Sequence, residues 1–392
     1  MRWIGAVIAV VLMLSFAPVG SAQAKLKACF LYVGPIGDYG WTHAHDQGRL
    51  AVEKALPQVE TAFVESVPDA QTEPFIDKLV GQGCKVLFTT SFGYMDGTLA
   101  SAKRYPNIIF AHATGFKRAP NMATYQAEFY QIYYLNGLVA GALTKTGKVG
   151  YLAAFPIPEV KRHISAFALG VREVNPKATV HVRWIFDWFH PAKAKEATEA
   201  LRAEGVDVGT QTEDSPTFVQ VMASKGLPSF SHYSPMYRFA PGHVVSGQLV
   251  HWDKIYIDFL KKILAGKYTA TNLENVDIWW RLKEGAVEMG AQPGMAINPA
   301  WVARLKAART VIGGAAGGGR TSVYDLVMDR LAQMSSIDPK TGQPLFDPFS
   351  GPIRDRRGVL RVPAGQRATY LQLMSMEWAA QGIIGPWENE PK

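Results

Sequence analysis

Short apolar runs alternate with amphipathic stretches along the first part of the chain. Each run has the length of one strand, and each stretch has the spacing of a helix with one buried face. In chain order the pairs are "ACFLYVG" with a helix from about Asp46 to Leu56, "VETAFVESV" with "TEPFIDKLVGQG", and "KVLFTTS" with "GTLASAKRYP", followed by "NIIFAHATG". This alternation predicts βαβ units and a parallel sheet.

The same pattern then restarts. A helix around "YYLNGLVAGALTKTG" precedes the strand "KVGYLAAF", and strands and helices alternate as far as the helix "DKIYIDFLKKILAG". The other strands predicted in this series are "TVHVRWIFDW", "VDVGTQT", "LPSFSHYS" and "HVVSGQLV". The chain is therefore predicted to be an α/β protein with two successive doubly wound units.

The regular alternation fades after about Val311. The stretch "GGAAGGGR" is predicted to be flexible, the next segment is rich in turn residues with a short hairpin, and "RATYLQLMSMEWAAQG" is predicted to be a final helix. We call residues 311–392 the C-terminal extension and expect it to pack on the preceding units.

The N-terminus has the pattern of a secretory signal peptide. Arg2 precedes a long uncharged apolar run, and Ala22-Gln23-Ala24 forms an A-x-A cleavage site. We expect cleavage after Ala24 and export to the periplasm; an uncut signal anchor is the alternative. Because the predicted cleavage site is not followed directly by a cysteine, a lipoprotein is not expected.

Composition indicates a globular protein that does not bind nucleic acid. Of the 392 residues, 48% are hydrophobic and 19% are charged, and the net charge of +8 comes from dispersed basic residues rather than from a basic arm. Beyond the signal, no segment stays apolar for the roughly 20 residues that a membrane-spanning helix needs. The two cysteines, Cys29 and Cys84, open neighbouring predicted strands, so they form either a disulfide or a pair of buried thiols.

Unusual side chains follow the predicted strands. Ligands of open parallel sheets bind beyond the carboxyl ends of the strands, so two sheets that face each other would form a cleft there. Trp41, Phe92 and Trp188 each follow such a strand, and rings on opposite walls would stack on a flat ligand. The alternative is that these rings only fill the cores of the two units.

The sequence offers little support for catalysis or a cofactor. His43, His45 and Asp46 crowd together as zinc ligands do, but a convincing further ligand is missing, and polar residues at a helix start explain them better. The segment "GGAAGGGR" lacks the phosphate-loop spacing, and nucleophile motifs are absent. Glu159 and Arg162 begin a helix, where a hinge or capping role is favoured over ligand contact. We expect a protein that is not an enzyme and has no metal and no cofactor.

Several segments in a fixed order resemble the basic membrane protein (BMP) family of solute-binding proteins, which includes purine nucleoside receptors of ABC importers. The matching segments are "YVGPIGDYGWTHAHDQGR", "SFGYMD", "YPNIIFAHATG", "YYLNGLVAGALTKTGKVGYLAAFPIPEVKRHISAFALGVREVNP", "DWFHPAKAKEAT", "TEDSPT", "DIWWRLKEGAVEMG" and "FSGPIRDRRG". The resemblance implies a type I periplasmic-binding fold with two hinged α/β lobes. The expected lobes are residues 25–125 with 247–275 and residues 126–246 with 276–310.

The resemblance also implies which residues contact the ligand. The first-lobe candidates are Asp38, Tyr39 and Trp41 in the first loop, Phe92 and Tyr94 in an aromatic loop, and Thr114 where nucleoside receptors have an aspartate. On the opposite lobe the candidates are Trp188, Asp214, Ser215 and Tyr233. The family's ribose-binding acid is replaced by Pro235, and the segment "VVSGQLVHW" offers Trp252 but no lysine.

Without these ribose contacts, the expected ligand is a free purine base such as adenine, or another flat heterocycle. The expected protein is a monomeric periplasmic receptor that closes on this ligand and delivers it to an ABC permease in the inner membrane. A purine nucleoside receptor and a receptor for a non-purine ligand are the alternatives within this class. A ligand-sensing partner of a membrane receptor and an exported metal-dependent hydrolase are alternatives outside it.

Overall fold

The computed structural model describes residues 24–311 and 319–389. The predicted signal peptide up to residue 23 and the glycine-rich residues 312–318 lie outside these ranges. Within the described ranges, no helix has both the length and the apolar character needed to cross a bilayer.

The first lobe is built on a six-stranded sheet in which all neighbouring strands are parallel. Its strands are β1 (Leu26–Leu31), β2 (Val59–Val64), β3 (Val86–Thr89), β4 (Ile109–Ala113), β5 (Met122–Ala127) and β11 (Asp277–Trp280), in the order β2-β1-β3-β4-β5-β11. Every residue of β3, β4 and β5 is buried, as expected for central strands covered by helices on both faces.

The second lobe is built on a seven-stranded sheet that is parallel except at one edge. Its strands are β6 (Lys148–Ala153), β7 (Thr179–Trp184), β8 (Val208–Gln211), β9 (Ser229–Tyr233), β10 (Val244–Val250), β12 (Val287–Met289) and β17 (Ile383–Ile384), in the order β12-β10-β9-β8-β6-β7-β17. Only β12 runs antiparallel to its neighbour, β10. The last strand, β17, comes from the C-terminal extension, which therefore joins the sheet of the second lobe.

Helices cover both sheets, and two small hairpins complete the fold. The helices are α1 (Trp41–Ala55), α2 (Thr72–Gly81), α3 (Met95–Arg104), α4 (Tyr130–Leu143), α5 (Pro158–Val174), α6 (Pro191–Ala203), α7 (Thr217–Ala223), α8 (Trp252–Leu264), α9 (Pro299–Ala307), α10 (Val323–Ser335) and α11 (Tyr370–Met374). The hairpins pair β13 (Arg309–Val311) with β14 (Arg320–Ser322), and β15 (Ile353–Arg354) with β16 (Leu360–Val362). This architecture confirms the predicted α/β fold with two lobes.

Two helices of the second lobe pack unusually closely. A Cβ atom on Gly137 of α4 would lie 2.2 Å from the carbonyl oxygen of Phe167, and one on Gly170 of α5 would lie 2.1 Å from that of Tyr134. Only glycine permits this approach of two backbones. Almost all of α4 and the first half of α5 are buried. The two helices therefore form a tightly packed pair beside the junction of the lobes.

Within residues 24–311 and 319–389 the chain crosses between the two sheets three times, after β5, after β10 and after β11. Because β10 continues through Val250 in the second sheet and β11 belongs to the first, the last two crossings lie after Val250 and after Trp280. Because β5 also continues to Ala127 in the first sheet, the predicted lobe boundaries at residues 125, 246 and 275 must all be corrected. Strands β5, β11, β12, β13, β14 and β17 and helices α9 and α10 have no counterpart among the predicted elements.

Two predicted helices differ from the structure. Helix α1 begins at Trp41 rather than near Asp46, because Asp38 accepts hydrogen bonds from the backbone N–H groups of Thr42 and His43. The predicted final helix is only α11, which ends at Met374. The chain beyond α11 packs against the second lobe, where Trp378 is buried and β17 pairs with β7.

Cys29 and Cys84 form a disulfide, with their Cα atoms 5.9 Å apart. Cys29 lies in β1, and Cys84 lies two residues before the start of β3, the parallel neighbour of β1 in the sheet. Of the two alternatives that the sequence left open, the structure therefore has the disulfide. A disulfide is typical of proteins that fold in an oxidising compartment.

Candidate functional site

A cavity lies between the two lobes, at the carboxyl ends of their parallel strands. The space free of protein atoms in and at the mouth of this cavity, open solvent included, is about 310 Å³. Its lining comes equally from both lobes: Val33, Trp41, Ser91, Phe92 and Thr114 from the first, and Ile157, Glu159, Trp188, Asp214 and Tyr233 from the second. We call this cavity the cleft; it lies where parallel α/β sheets bind their ligands.

The lobes touch each other beside the cleft. The backbone N–H of Trp41 donates to Oδ1 of Asp214 at 3.1 Å, and the hydroxyl of Ser234 donates to the carbonyl oxygen of Gly40 at 2.9 Å. A Cβ atom on Gly40 would lie 2.4 Å from the carbonyl oxygen of Asp214. These contacts join the start of α1 to the second lobe, so the described arrangement is a closed one.

Large aromatic rings line the cleft from both lobes. The indole of Trp41 is held by a hydrogen bond from Nε1 to the carbonyl oxygen of Thr90 at 2.5 Å and lies edge-on to the ring of Tyr233, 5.0 Å away between centroids. From the second lobe, Trp188 packs against Phe155 at 5.0 Å. Rings positioned in this way can stack on a flat ligand.

Two carboxyl groups also line the cleft. Burial raises the pKa of Asp214 well above its ordinary value, and the nearby carboxyls of Asp38 and Glu213 add to this effect. Burial likewise raises the pKa of Glu159. Among the described lining residues none is a lysine, arginine or histidine. The cleft therefore suits a neutral or cationic ligand with N–H groups better than an anion.

Two further lining residues have unusual backbone conformations. Thr114 and Tyr233 have positive φ angles of 62° and 57°, a region that residues other than glycine seldom occupy. The hydroxyl oxygen of Thr114 is buried, and among the described residues it has no hydrogen-bond partner. Such strain and such an orphan polar atom are typical of binding sites, where a ligand supplies the missing partner.

Six of the eleven predicted site residues line the cleft, namely Trp41, Phe92, Thr114, Trp188, Asp214 and Tyr233. Their direct role in ligand binding stays a prediction. The other five predicted residues, Asp38, Tyr39, Tyr94, Ser215 and Trp252, lie outside the lining.

Each of these five has a different partner. Asp38 is buried beneath the start of α1, where burial raises its pKa against the effect of the backbone N–H donors. The ring of Tyr39 lies 4.2 Å from the guanidinium of Arg238. Tyr94 donates to the carbonyl oxygen of Val67 at 2.6 Å, Ser215 donates to Glu213 at 2.7 Å, and Trp252 stacks on His45 with 4.2 Å between ring centroids.

Sequence reasoning missed four of the lining residues. Val33, Ser91 and Ile157 carry little chemistry, and their only signal was a position shortly after a predicted strand. Glu159 was assigned a hinge or capping role, yet its carboxyl group lines the cleft and accepts a hydrogen bond from Nε2 of Gln126 at 3.3 Å.

The histidine cluster near the start of α1 is dispersed by the helix. The Nδ1 atom of His43 lies 3.1 Å from the carbonyl oxygen of Ile36, and His45 is buried with its Nδ1 against the hydroxyl of Tyr256. Asp46 instead pairs with Arg49, at 2.7 Å. Across residues 24–311 and 319–389, no three His, Cys, Asp or Glu side chains are grouped so that they could hold a metal ion.

The sequence is similar to known substrate-binding proteins. The family model described as "ABC transporter substrate-binding protein PnrA-like" matches residues 25–302. A purine-binding protein of Brucella abortus is 36% identical over 92% of this chain and 94% of its own. A Haloferax volcanii protein, provisionally named as an ABC transporter glucose-binding protein, is 38% identical over 69% of this chain and 67% of its own.

Solved structures support the fold. A solute-binding protein of an ABC transporter system from Aeropyrum pernix superposes with a TM-score of 0.65 at 17% identity, over 79% of this chain and 91% of its own. A transcriptional activator of the comK gene from Bacillus halodurans superposes with a TM-score of 0.61 at 20% identity, over 82% of this chain and all of its own. At such identities the likeness concerns the fold alone.

Proposed function

Because the chain belongs to the PnrA-like family of ABC transporter substrate-binding proteins, we propose that it binds a free purine base, such as adenine, in the cleft and delivers it to a permease. Members of this family are extracellular or periplasmic receptors rather than enzymes. We further propose that this receptor is a monomer, exported by a signal peptide that is cleaved after Ala24 and without a lipid anchor.

The observation that carries the purine proposal is the pair of tryptophans on opposite lobes of the cleft. Trp41 and Trp188 offer ring surfaces to a flat heterocycle, and stacking of one base on one ring is worth about 1–3 kcal/mol. Glu159, Asp214 and Thr114 offer oxygen atoms to the ring nitrogens and exocyclic amine of the base. The purine-binding relative from Brucella abortus supports the same ligand class.

A free base is preferred over a nucleoside because the cleft lacks the ribose contacts that the resemblance implies. Pro235 and Trp252, which stand where the resemblance placed ribose contacts, are outside the lining.

Ligand capture follows from the contacts between the lobes. A ligand that touches Trp41 and Trp188 together gains both contacts only when the lobes are closed, so it shifts the population towards the closed state. The hydrogen bonds from Trp41 to Asp214 and from Ser234 to Gly40 then belong to the form that a permease would recognise.

The test is titration calorimetry of the chain from residue 25 onwards with adenine, adenosine and glucose. We expect adenine to bind, adenosine to bind more weakly and glucose to give no heat. Trp188→Ala should weaken adenine binding by about 1–3 kcal/mol through the lost stacking. Trp184→Ala is a matched control, because Trp184 is also half-buried in the second lobe but packs on Trp387, away from the cleft.

Each outcome decides between the proposed ligand and one alternative. Tight binding of adenosine would show that the ligand is a nucleoside rather than a free base. Binding of glucose without binding of adenine would show that the ligand is not a purine. Equal losses in Trp188→Ala and Trp184→Ala would show that the ring at Trp188 does not stack on the ligand.

A further inference from the structure

The C-terminal extension lies beyond residue 302, where the matched family model ends, yet it reaches the helix that leads into the cleft. We propose that the extension controls ligand affinity by holding the first turns of α5, and with them Glu159, at the cleft. Glu159 is then a ligand-contacting residue, and Lys161 and Arg162 are positioning residues that act through it. The identity of the ligand rests on the proposed function; the positioning itself does not.

Glu159 stands at the junction of the lobes. It lies in the first turn of α5, it is buried, and it lines the cleft. Its Oε1 atom accepts a hydrogen bond from Gln126, which lies on β5 of the first lobe. A small shift of this turn would therefore change both the wall of the cleft and a contact between the lobes.

The next turn of α5 carries two buried cations, and the extension supplies hydrogen-bond partners to both. The ammonium of Lys161 pairs with the carboxylate of Glu377 and donates to the carbonyl oxygen of Glu388 at 2.8 Å. The guanidinium of Arg162 donates to the carbonyl oxygen of Leu373 at 2.6 Å. Both cationic side chains are at most 2% exposed.

Arg162 also links the extension to the first crossing between the lobes. Its Nη2 atom donates to Glu128 at 2.5 Å, and its guanidinium lies 5.1 Å from the ring of Trp279 on β11. The backbone N–H of Glu128 donates to the carbonyl oxygen of Trp280 at 2.7 Å, which joins two of the three crossings. One arginine therefore ties α5, the crossings and the extension together.

The extension contacts the crossings independently of α5. Asp347 accepts a hydrogen bond from Tyr130 at 2.6 Å, and Tyr130 in turn accepts one from Arg281 at 3.1 Å. Tyr370 of α11 donates to Asp277 on β11 at 2.5 Å. With β17 in the sheet of the second lobe, the extension is attached to both lobes.

A buried cation without its partners is strongly disfavoured. If the extension shifts, Lys161 loses both Glu377 and Glu388, whereas Arg162 loses Leu373 but keeps Glu128. Lys161 must then move to recover partners, and the turn that carries Glu159 moves with it. The coupling between the extension and the cleft is therefore mechanical and runs through one turn of helix.

The experiment compares Glu377→Gln with a matched control, Glu204→Gln. Both carboxylates are 33% exposed, and each pairs with a cation of the second lobe, but the partners of Glu204 are Arg183 and His181, away from α5. We expect Glu377→Gln to raise the Kd for adenine about tenfold, within the usual range of coupling between sites. It should also speed amide hydrogen exchange in residues 159–163 of the ligand-free protein, and Glu204→Gln should do neither.

A double-mutant cycle tests whether the effect passes through Glu159. If it does, Glu377→Gln added to Glu159→Gln costs little further affinity, because the group that the extension positions has already been removed. Full additivity of the two losses would overturn the proposal, as would unchanged exchange in residues 159–163 of Glu377→Gln. If the parent protein binds no purine, the purine proposal fails, and the exchange result still decides whether the extension holds α5.

Discussion

At the scale of single residues, Thr114 combines two costs that a folded protein seldom accepts together. Its backbone is in the left-handed region, and its buried hydroxyl lacks a partner among the described residues. Neither feature helps the ligand-free fold. Both are understandable if the hydroxyl is kept for a ligand that completes its hydrogen bonding.

This interpretation predicts opposite effects on stability and binding. Thr114→Val keeps the branched shape and the backbone conformation but removes the hydroxyl, so the free energy of unfolding should stay equal or rise. Affinity for adenine should fall by about 1 kcal/mol, the typical value of one hydrogen bond. Urea unfolding and calorimetry measure the two quantities.

Thr198→Val provides the contrast. Thr198 is also buried, but its hydroxyl donates to the carbonyl oxygen of Ala194 at 2.6 Å within α6. Loss of the Thr198 hydroxyl should lower the free energy of unfolding and leave the affinity for adenine unchanged. A loss of stability in Thr114→Val with full affinity would mean that the Thr114 hydroxyl serves the fold alone.

At the scale of elements, the first crossing depends on a buried carboxylate. Burial alone would raise the pKa of Glu128, but Arg162 and His163 outweigh it and lower the pKa to about 2. The folded state therefore favours the ionised form. The resulting stabilisation is fully present above the ordinary value of 4.5 and is lost as the pH falls from there towards 2.

Glu128→Gln should consequently be less stable than the parent at pH 7 and less sensitive to acid. Urea unfolding between pH 5 and pH 3 should show a shallower fall of the free energy of unfolding in this variant than in the parent. An identical slope in both proteins would assign the acid sensitivity to other carboxyls.

The disulfide ties together two neighbouring strands of the first sheet. Cys29 and Cys84 are separated by 55 residues, and a loop of that length corresponds to about 4 kcal/mol of chain entropy in the unfolded state. The double replacement of both cysteines by serine should lower the free energy of unfolding by about 2–4 kcal/mol. The parent protein unfolded in a reducing buffer should match the variant, whereas equal stabilities with and without reductant would contradict the prediction.

At the scale of the whole molecule, function depends on how closely the lobes approach. Gly40 marks a tight contact between the lobes, since a Cβ atom there would lie 2.4 Å from the carbonyl oxygen of Asp214, closer than van der Waals contact allows. Gly40→Ala should therefore hinder closure. We expect a lower affinity for adenine and a larger radius of gyration in solution scattering with saturating ligand, with each lobe still folded.

Gly37→Ala is the control for this prediction. Gly37 lies in the same loop, but a Cβ atom there would meet nothing within 4 Å. The control should close and bind like the parent. If both variants bind adenine equally well, the contact at Gly40 does not limit closure.

Much of the fold and the family follows from the sequence by itself. Apolar periodicity is a local property, so it indicates the strands, the helices and the two α/β units, and the ordered segments of the BMP resemblance add the family. Because parallel strands present their carboxyl ends at one edge, the sequence also placed Trp41 and Trp188 near the cleft.

Only the tertiary structure decided which polar groups face the cleft. Asp38 and Asp214 both follow strands, yet Asp38 turns inward to the start of α1, while Asp214 meets the backbone of Trp41, 173 residues away in the sequence. The short strand β11 joins a sheet whose other members end 150 residues earlier in the chain, and β17 joins its sheet through the extension. The directions of side chains and the partners of short strands are set by packing between distant segments, about which a local pattern carries no information.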